Sequence, residues 1–426
     1  MTVPSCRTYT LHYPVSALRR EGRFRRFRLE HLREENGSFV CAEGEIKAYT
    51  LPSSATDIFC AGDRVFAYVK STQTGKFLDT NVSYPSGGSM HNLTALVEAE
   101  GTTRYFAIGD TYFHYFANTA NSIVTFSPTP STSALALHHE RLFGAVGTRV
   151  YYTKPLDFRG WENYGEHDAG YFDLLPGAGE VVDIISMRDR VYFLRRYGIT
   201  RLTGYCDIYN FQQEAMPFGM GEILSRAAVI GETAYFFTSR GLCRFDGTKA
   251  EQAAGASDEE ISLSADLRMG TLDHMQAAAS VTMTDGVKAV YVYDPVQERG
   301  RFIRRTFDRC AFGPYIYTMH GGSVYRLTGK ALPSAGGCKL VAEMALSDLG
   351  EGEKRLEAVY ISGSGSFTVS AAGEDGLSSS ASAKAGEWTR FPTAVRGENI
   401  CLTVSFSQTA ACIDGIGLRV RREDRI

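Results

Sequence analysis

Four consecutive residues, His138-His139-Glu140-Arg141, are the densest set of metal-ligating and proton-transferring side chains in the 426-residue chain. Two imidazoles and a carboxylate could hold a zinc-type cation. Adjacent residues of a strand point to opposite faces, so both histidines reach one ion only if the backbone distorts. A hydrogen-bonded structural role is the better reading. A second set, Glu162, Glu166, His167 and Asp168, follows Trp161 in a polar loop. Glycoside hydrolysis uses two carboxylates flanking the scissile bond, yet loop carboxylates are far more often merely solvated. Asp258, Glu259 and Glu260 follow Ser257 as the first-turn acids of a helix capping box. There is no Gly-x-Ser-x-Gly elbow, His-Glu-x-x-His pair, phosphate loop, or Gly-x-Gly-x-x-Gly before a helix. Sequence therefore assigns no catalytic residue, no cofactor and no metal ligand, and the chain reads as non-enzymatic.

The elements that would position any site are legible in a repeat. A turn residue followed by an apolar, aromatic strand recurs around Phe66, Tyr112, Tyr151, Tyr192, Tyr235, Tyr291 and Tyr325. These anchors lie 46, 39, 41, 43, 56 and 34 residues apart, about 43 on average, the length of one four-stranded propeller blade. Most copies run on into a second strand through Gly75, Gly160, Gly198, Gly241 or Gly300. A central glycine with positive φ would make each a hairpin. The expected fold is all-β: a six- or seven-bladed β-propeller over residues 51–337. The long 56-residue interval predicts a helical excursion between blades, beginning at the capping box and running through ISLSADLRMGTLDHMQAAASV. A large β-sandwich with coincidental hairpins is the alternative.

Composition agrees with this texture. The chain has 23 Tyr, 25 Phe and 43 Gly but only 2 Trp, which favours strands and tight turns and cannot furnish tryptophan-based blade repeats. A net charge of −3 argues against a surface built throughout for nucleic acid or anionic membrane. No apolar run is long enough for a spanning helix, and the N-terminus lacks the order of a signal peptide. Nine scattered cysteines without a Cys-x-x-Cys read as reduced thiols of a cytosolic product. Beyond residue 337, alternating strands predict a C-terminal β-sandwich over 338–426. Residues 1–50 form an arginine-rich arm with lead-in strands. Arg19, Arg20, Arg23, Arg25, Arg26 and Arg28 lie there among Phe24, Phe27 and Leu29, a set suited to an acidic protein partner or to phosphate. A solvated or subunit-contacting face is the more economical reading.

Three segments carry a resemblance. LALHHERLFGAVGTRVYYTKPLDFRGWEN (135–163), DIISMRDRVYFLRRYGITRLTG (183–204) and GMGEILSRAAVIGETAYFFTSRGLCRFDG (219–247) resemble the β-propeller hub, nozzle or head-closing stabilisation proteins of short-tailed bacteriophages and related prophages. The likeness extends over about residues 57–330 and is one of texture. It implies a structural virion protein, assembled in the bacterial host cytoplasm into a homo-oligomeric ring of the tail. Its partners would be portal, adaptor or tail proteins, with DNA in passage, and the arginine-rich segment would be an assembly arm. The rival expectation is a carbohydrate-binding or carbohydrate-cleaving propeller, with carboxylates and aromatics gathered at one channel mouth.

Overall fold

Short runs of β-branched and aromatic residues, cut by glycine-rich turns, leave the chain little choice but strands. The computed structural model describes residues 6–15, 24–41, 44–51, 54–80, 83–85, 90–97, 103–109, 114–117, 123–125, 132–157, 160–161, 169–204, 210–256, 258–264, 267–328, 337–408 and 410–423. The chain divides into two units. One holds Lys47–Arg299 and Thr306–Arg326; the other holds Met1–Ile46, Gly300–Arg305 and Leu327–Ile426.

The first of these is a succession of antiparallel meanders. Sheets A (57–85), B (90–125), C (134–173), D (181–216) and E (228–252) have four strands each in chain order. Sheet F opens with Arg268–Leu272, Gln276–Thr282 and Lys288–Asp294, and the unit ends within the next strand, at Arg299. Sheet G comprises Arg309–Phe312, Ile316–His320 and Ser323–Thr328, and its fourth strand is Gly44–Thr50 from far upstream. The Leu51 amide donates to the Gly322 carbonyl at 3.0 Å to hold that strand. The inner strands are buried on both faces where sheets pack on one another, whereas outer strands such as Gly170–Asp173 and Gln212–Met216 are half-buried or exposed. Phe66 and Phe77 of A pack with Leu93 and Tyr105 of B. Phe143 and Val150 of C pack with Ile184 and Phe193 of D, and Leu194 of D packs with Phe236 of E. Ile58 and Val65 of A share a core with Tyr317 and Val324 of G, so the last sheet packs on the first. Each buried Phe or Leu contributes about 1.5–3 kcal/mol.

The repeat is real, but its anchors are not equivalent. Phe66, Tyr192 and Tyr235 lie on the second strands of A, D and E, whereas Tyr151, Tyr291 and Tyr325 lie on the third strands of C, F and G. Tyr112 lies outside the described residues. The step from a second to a third strand explains the long interval between Tyr235 and Tyr291. The helical excursion is therefore a misreading: the described residues after the supposed capping box are turns, then strands Arg268–Leu272 and Gln276–Thr282. Ala277, Ala278 and Ala279 are fully buried there, so packing overrides alanine's helix preference. Asp258 caps no helix. Its buried carboxylate accepts the Leu242 amide of sheet E.

The hairpin glycines also differ from expectation. Gly241 has φ of 104°, which only glycine adopts without strain. Gly75 and Gly198 are absent from the left-handed region. At Gly75 the constraint is space, because a Cβ would stand 2.2 Å from the Phe66 ring.

The other unit has two sheets sharing one core. In one, the order is Leu32–Glu35, Ser38–Cys41, Cys412–Glu423, Glu353–Ser364, Trp388–Arg396, with Cys6–Pro14 also pairing along Cys412–Glu423. In the other, Phe24–Glu30 pairs with Cys338–Ala345, followed by Asn399–Phe406, Ser366–Gly373 and Ser378–Lys384. Leu29, Leu32 and Phe39 are buried with Leu340, Val404, Leu418 and Val420. N-terminal and C-terminal strands thus complete one another.

Candidate functional site: a polar cavity lined by seven sheets

The first strand of every sheet A to G borders one cavity of about 650 Å³. Its wall includes Cys60 from A, Asn92 and Thr94 from B, Leu135 and Leu137 from C, and Ser186 from D. Sheet E contributes Val229, F contributes Arg268 and Thr271, and G contributes Cys310 and Phe312. A cavity of this size suits a small ligand.

Charge in and beside the cavity sets three arginines against two aspartates. The Arg268 guanidinium of sheet F donates two hydrogen bonds to the Asp57 carboxylate of sheet A, at 2.7 and 2.6 Å. Arg309 of sheet G lies 3.6 Å from the same carboxylate, which also accepts the Ile58 amide at 2.8 Å. Across the cavity, Asp183 of sheet D accepts the Ala227 amide at 2.9 Å, and Arg226 lies 3.9 Å from its second oxygen. Arg226 donates to the Ser133 carbonyl, just ahead of sheet C, at 2.6 Å. Burial pushes the Asp183 carboxyl up, opposed by Arg226 and backbone amides. Burial likewise pulls Arg226 down, opposed by Asp183. Burial drives the Cys60 thiol up to about 12, with Asp63 adding to the rise, and Cys310 moves the same way. Such thiols stay protonated and are poor nucleophiles.

None of these groups was singled out from sequence. One signal was available: Asp57, Asp183 and Arg226 each stand nine residues ahead of a second-strand anchor, Phe66, Tyr192 and Tyr235. Each is a single charge within or just ahead of a first strand, and Asp183 and Arg226 line the cavity.

The residues that sequence did single out do not form one site. The His138 and His139 rings lie 4.2 Å apart, because His139 stands in a turn at φ of 50° rather than on the strand with His138, yet the two serve different partners. The His138 Nδ1 pairs with the Ser186 hydroxyl at 2.8 Å, while the His139 Nε2 meets the Asp189 carboxylate at 2.7 Å. Burial, with His139 adding and Asp189 opposing, pulls His138 down to about 4. Arg141 is buried and donates to the Thr153 carbonyl at 2.7 Å. No group of three His, Cys, Asp or Glu side chains among the described residues could hold a metal ion. Glu162, Glu166, His167 and Asp168 lie outside the described residues.

Arg19, Arg20 and Arg23 also lie outside them. Arg25 and Arg26 sit on the strand Phe24–Glu30, and Arg28 on that strand bonds the buried Glu30 carboxylate at 2.9 Å. Half of the arginine-rich segment is therefore woven into a sheet. Of the described cysteines, Cys60, Cys243, Cys310, Cys338 and Cys412 are free thiols. No helix among the described residues is long and apolar enough to cross a membrane.

No family model and no curated protein matches this chain. Among solved structures, it is similar to the extracellular domain assigned to a hybrid two-component system of B. thetaiotaomicron, at 11% identity and TM-score 0.48. That match covers 75% of this chain and 44% of the other, so the chain spans less than half of that relative. A puromycin-hydrolyzing peptidase of Mycobacterium tuberculosis matches at 12% identity and TM-score 0.44, over 71% of this chain and 61% of the other. Hsv2 of Kluyvelomyces marxianus matches at 7% identity and TM-score 0.36, over 67% and 98%. Likenesses of this degree carry no functional argument.

Proposed function

We propose that the protein is a non-enzymatic structural subunit of a bacteriophage virion: a tail hub, nozzle or adaptor component that assembles into a ring in the tail or where tail meets head. In this reading sheets A to G are the blades of a seven-bladed β-propeller. Residues 338–426, together with the N-terminal strands on the same core, are a β-sandwich. The observation that carries the reading is closure. Sheet G takes its fourth strand from upstream of sheet A, packs on A, and with F reaches Asp57 of A. A circle of sheets leaves few free edges and presents broad, stiff faces for docking.

The resembling segments 135–163, 183–204 and 219–247 coincide with sheets C, D and E, which ties the phage-like texture to that framework. The proposed partners are further copies of the chain and portal, adaptor or tail proteins. Arg19, Arg20, Arg23, Arg25, Arg26 and Arg28 remain the proposed partner contacts. Carbohydrate cleavage receives less support from the cavity, because glycoside hydrolysis needs one acid able to donate a proton and one free to attack. Asp57 is held by two arginines and an amide, and Asp183 by an amide and a nearby arginine.

The test is light scattering after size exclusion, with the chain alone and mixed with cognate portal or adaptor protein. Ring-sized assemblies are expected. A strictly monomeric chain that ignores tail components and cleaves a glycan overturns the proposal.

A further inference from the structure

On the outer face of one sheet of the second unit, strand register lines up a single rung of rings. His12 stands opposite Gly417, Gly417 opposite Tyr360, and Tyr360 opposite Trp388. The Tyr360 and Trp388 rings lie 5.5 Å apart at 43°, and His12 stands 6.2 and 6.0 Å from them at 76° and 70°. Two rings thus make a shallow floor and the third an upright wall. Gly417 permits this closure: a Cβ there would press on Tyr360 at 3.0 Å and on His12 at 3.1 Å.

Two residues along, the neighbouring rung places Arg419 opposite Ala358 and Ala358 opposite Arg390. The Arg419 guanidinium lies 4.6 Å from the Trp388 ring centre. His12 and Arg390 are exposed; Tyr360, Trp388 and Arg419 are half-buried. The opposite face of the same strands, with Val359, Ile361, Phe391, Leu418 and Val420, is core, so the rings are surplus to the packing. No hydrogen bond or ion pair within the described residues engages the Tyr360 hydroxyl, the Trp388 indole N–H, His12, Arg390 or Arg419.

We infer that this rung is a binding platform for an acidic sugar residue, a uronate within an oligosaccharide. A pyranose ring presents C–H bonds to the aromatic floor, which attracts them as it attracts other positively polarised edges. Its hydroxyls meet the Tyr360, Trp388 and His12 polar groups, and its carboxylate meets the Arg419 and Arg390 forks. The steep angle between wall and floor suits a puckered ring better than the parallel stacking of flat bases on a nucleic-acid surface. The inference stands apart from the virion reading, because it rests on a different unit and on none of the cavity residues.

Calorimetric titration of the full chain with a galacturonate hexasaccharide tests it, with maltohexaose and oligothymidylate as comparison ligands. Saturable one-site binding of the uronate is expected, weakened by added salt. Arg390→Gln with Arg419→Gln should weaken it about tenfold or more, and Trp388→Ala should abolish it while Trp388→Phe restores part. Arg390 is exposed and Arg419 half-buried, and an unchanged melting temperature verifies the fold of the variant. As a second readout, Trp161 is buried, so ligand should shield Trp388 selectively from acrylamide quenching. Equal binding of maltohexaose, tighter binding of oligothymidylate, no binding of the uronate, or unchanged affinity in the folded arginine variant each overturns the proposal.

Discussion

Arg268 and Asp57, 211 residues apart in the chain, meet through two charge-assisted hydrogen bonds of 2.7 and 2.6 Å. The pair joins the sixth sheet to the first, beside the seventh, which shares a core with the first. Arg268→Met and Asp57→Asn should each lower the stability of that unit, Asp57→Asn more, because it also strips Arg309 of its nearby carboxylate. A double-mutant cycle by chemical denaturation should give a coupling of about 1–3 kcal/mol, towards the lower end because Arg268 is partly exposed. Additive single effects would mean that the pair is decorative.

Acid should weaken both units through buried histidines. Burial first, then Arg305, Lys339 and Arg304, pulls His31 down to about 4, and His138 is likewise lowered to about 4. The unfolded chain takes up these protons near the ordinary value of 6.5, before the folded protein does. Their contribution is complete above that pH and is lost as pH falls towards about 4. Each histidine accounts for up to about 3 kcal/mol. Denaturation midpoints at pH 7, 6 and 5 should fall in order. His31→Asn should flatten the profile of its own unit, since asparagine accepts the positive φ of 54° found there.

Removing residues 1–35 should abolish folding of the second unit rather than impair assembly alone. Leu29 and Leu32 are buried at 1% and 0% exposure in its core, so Leu29→Ala by itself should cost about 2–5 kcal/mol. Circular dichroism melts of the truncated and substituted chains settle the matter. A truncated chain that melts like the whole one would show a dispensable arm.

Tyr291 and Tyr293, from the third strand of sheet F, donate their hydroxyls to the carbonyls of Ala256 and Ala254, the latter at 2.8 Å. Tyr293→Phe should destabilise by about 1 kcal/mol, leaving a carbonyl without its donor. Amide exchange should quicken first in residues 253–256. Uniform quickening across the unit would contradict this local role.

Much of this architecture is legible in the residues. Period, strand texture and the change near residue 337 all come from side-chain patterns that local chemistry imposes. The anchors drifted between second and third strands because aromatic residues suit either, even where, as in Arg149–Tyr152, only alternate residues are buried. The supposed helix near residue 260 failed because an alanine-rich strand pressed between sheets has the composition of a helix. The cavity was hidden for another reason. Asp57, Asp183 and Arg226 are single charges within or beside apolar runs, and only the packing of separate sheets brings them to one cavity's surroundings. The His12–Tyr360–Trp388 rung is still less visible, because His12 lies about 350 residues ahead of the other two.

The origin of the fourth strand of sheet G has a consequence for biosynthesis. Gly44–Thr50 leaves the ribosome about 270 residues before its partner Ser323–Thr328. It must then keep its edge unpaired while six sheets form behind it. Loop closure over such a span is slow, so the seam is expected to be the last part of the unit to become protected on a nascent chain. A nascent chain stalled ahead of residue 323 would still lack the strand's partner, and that open edge is where chaperone recruitment or mispairing with a neighbouring nascent chain would begin.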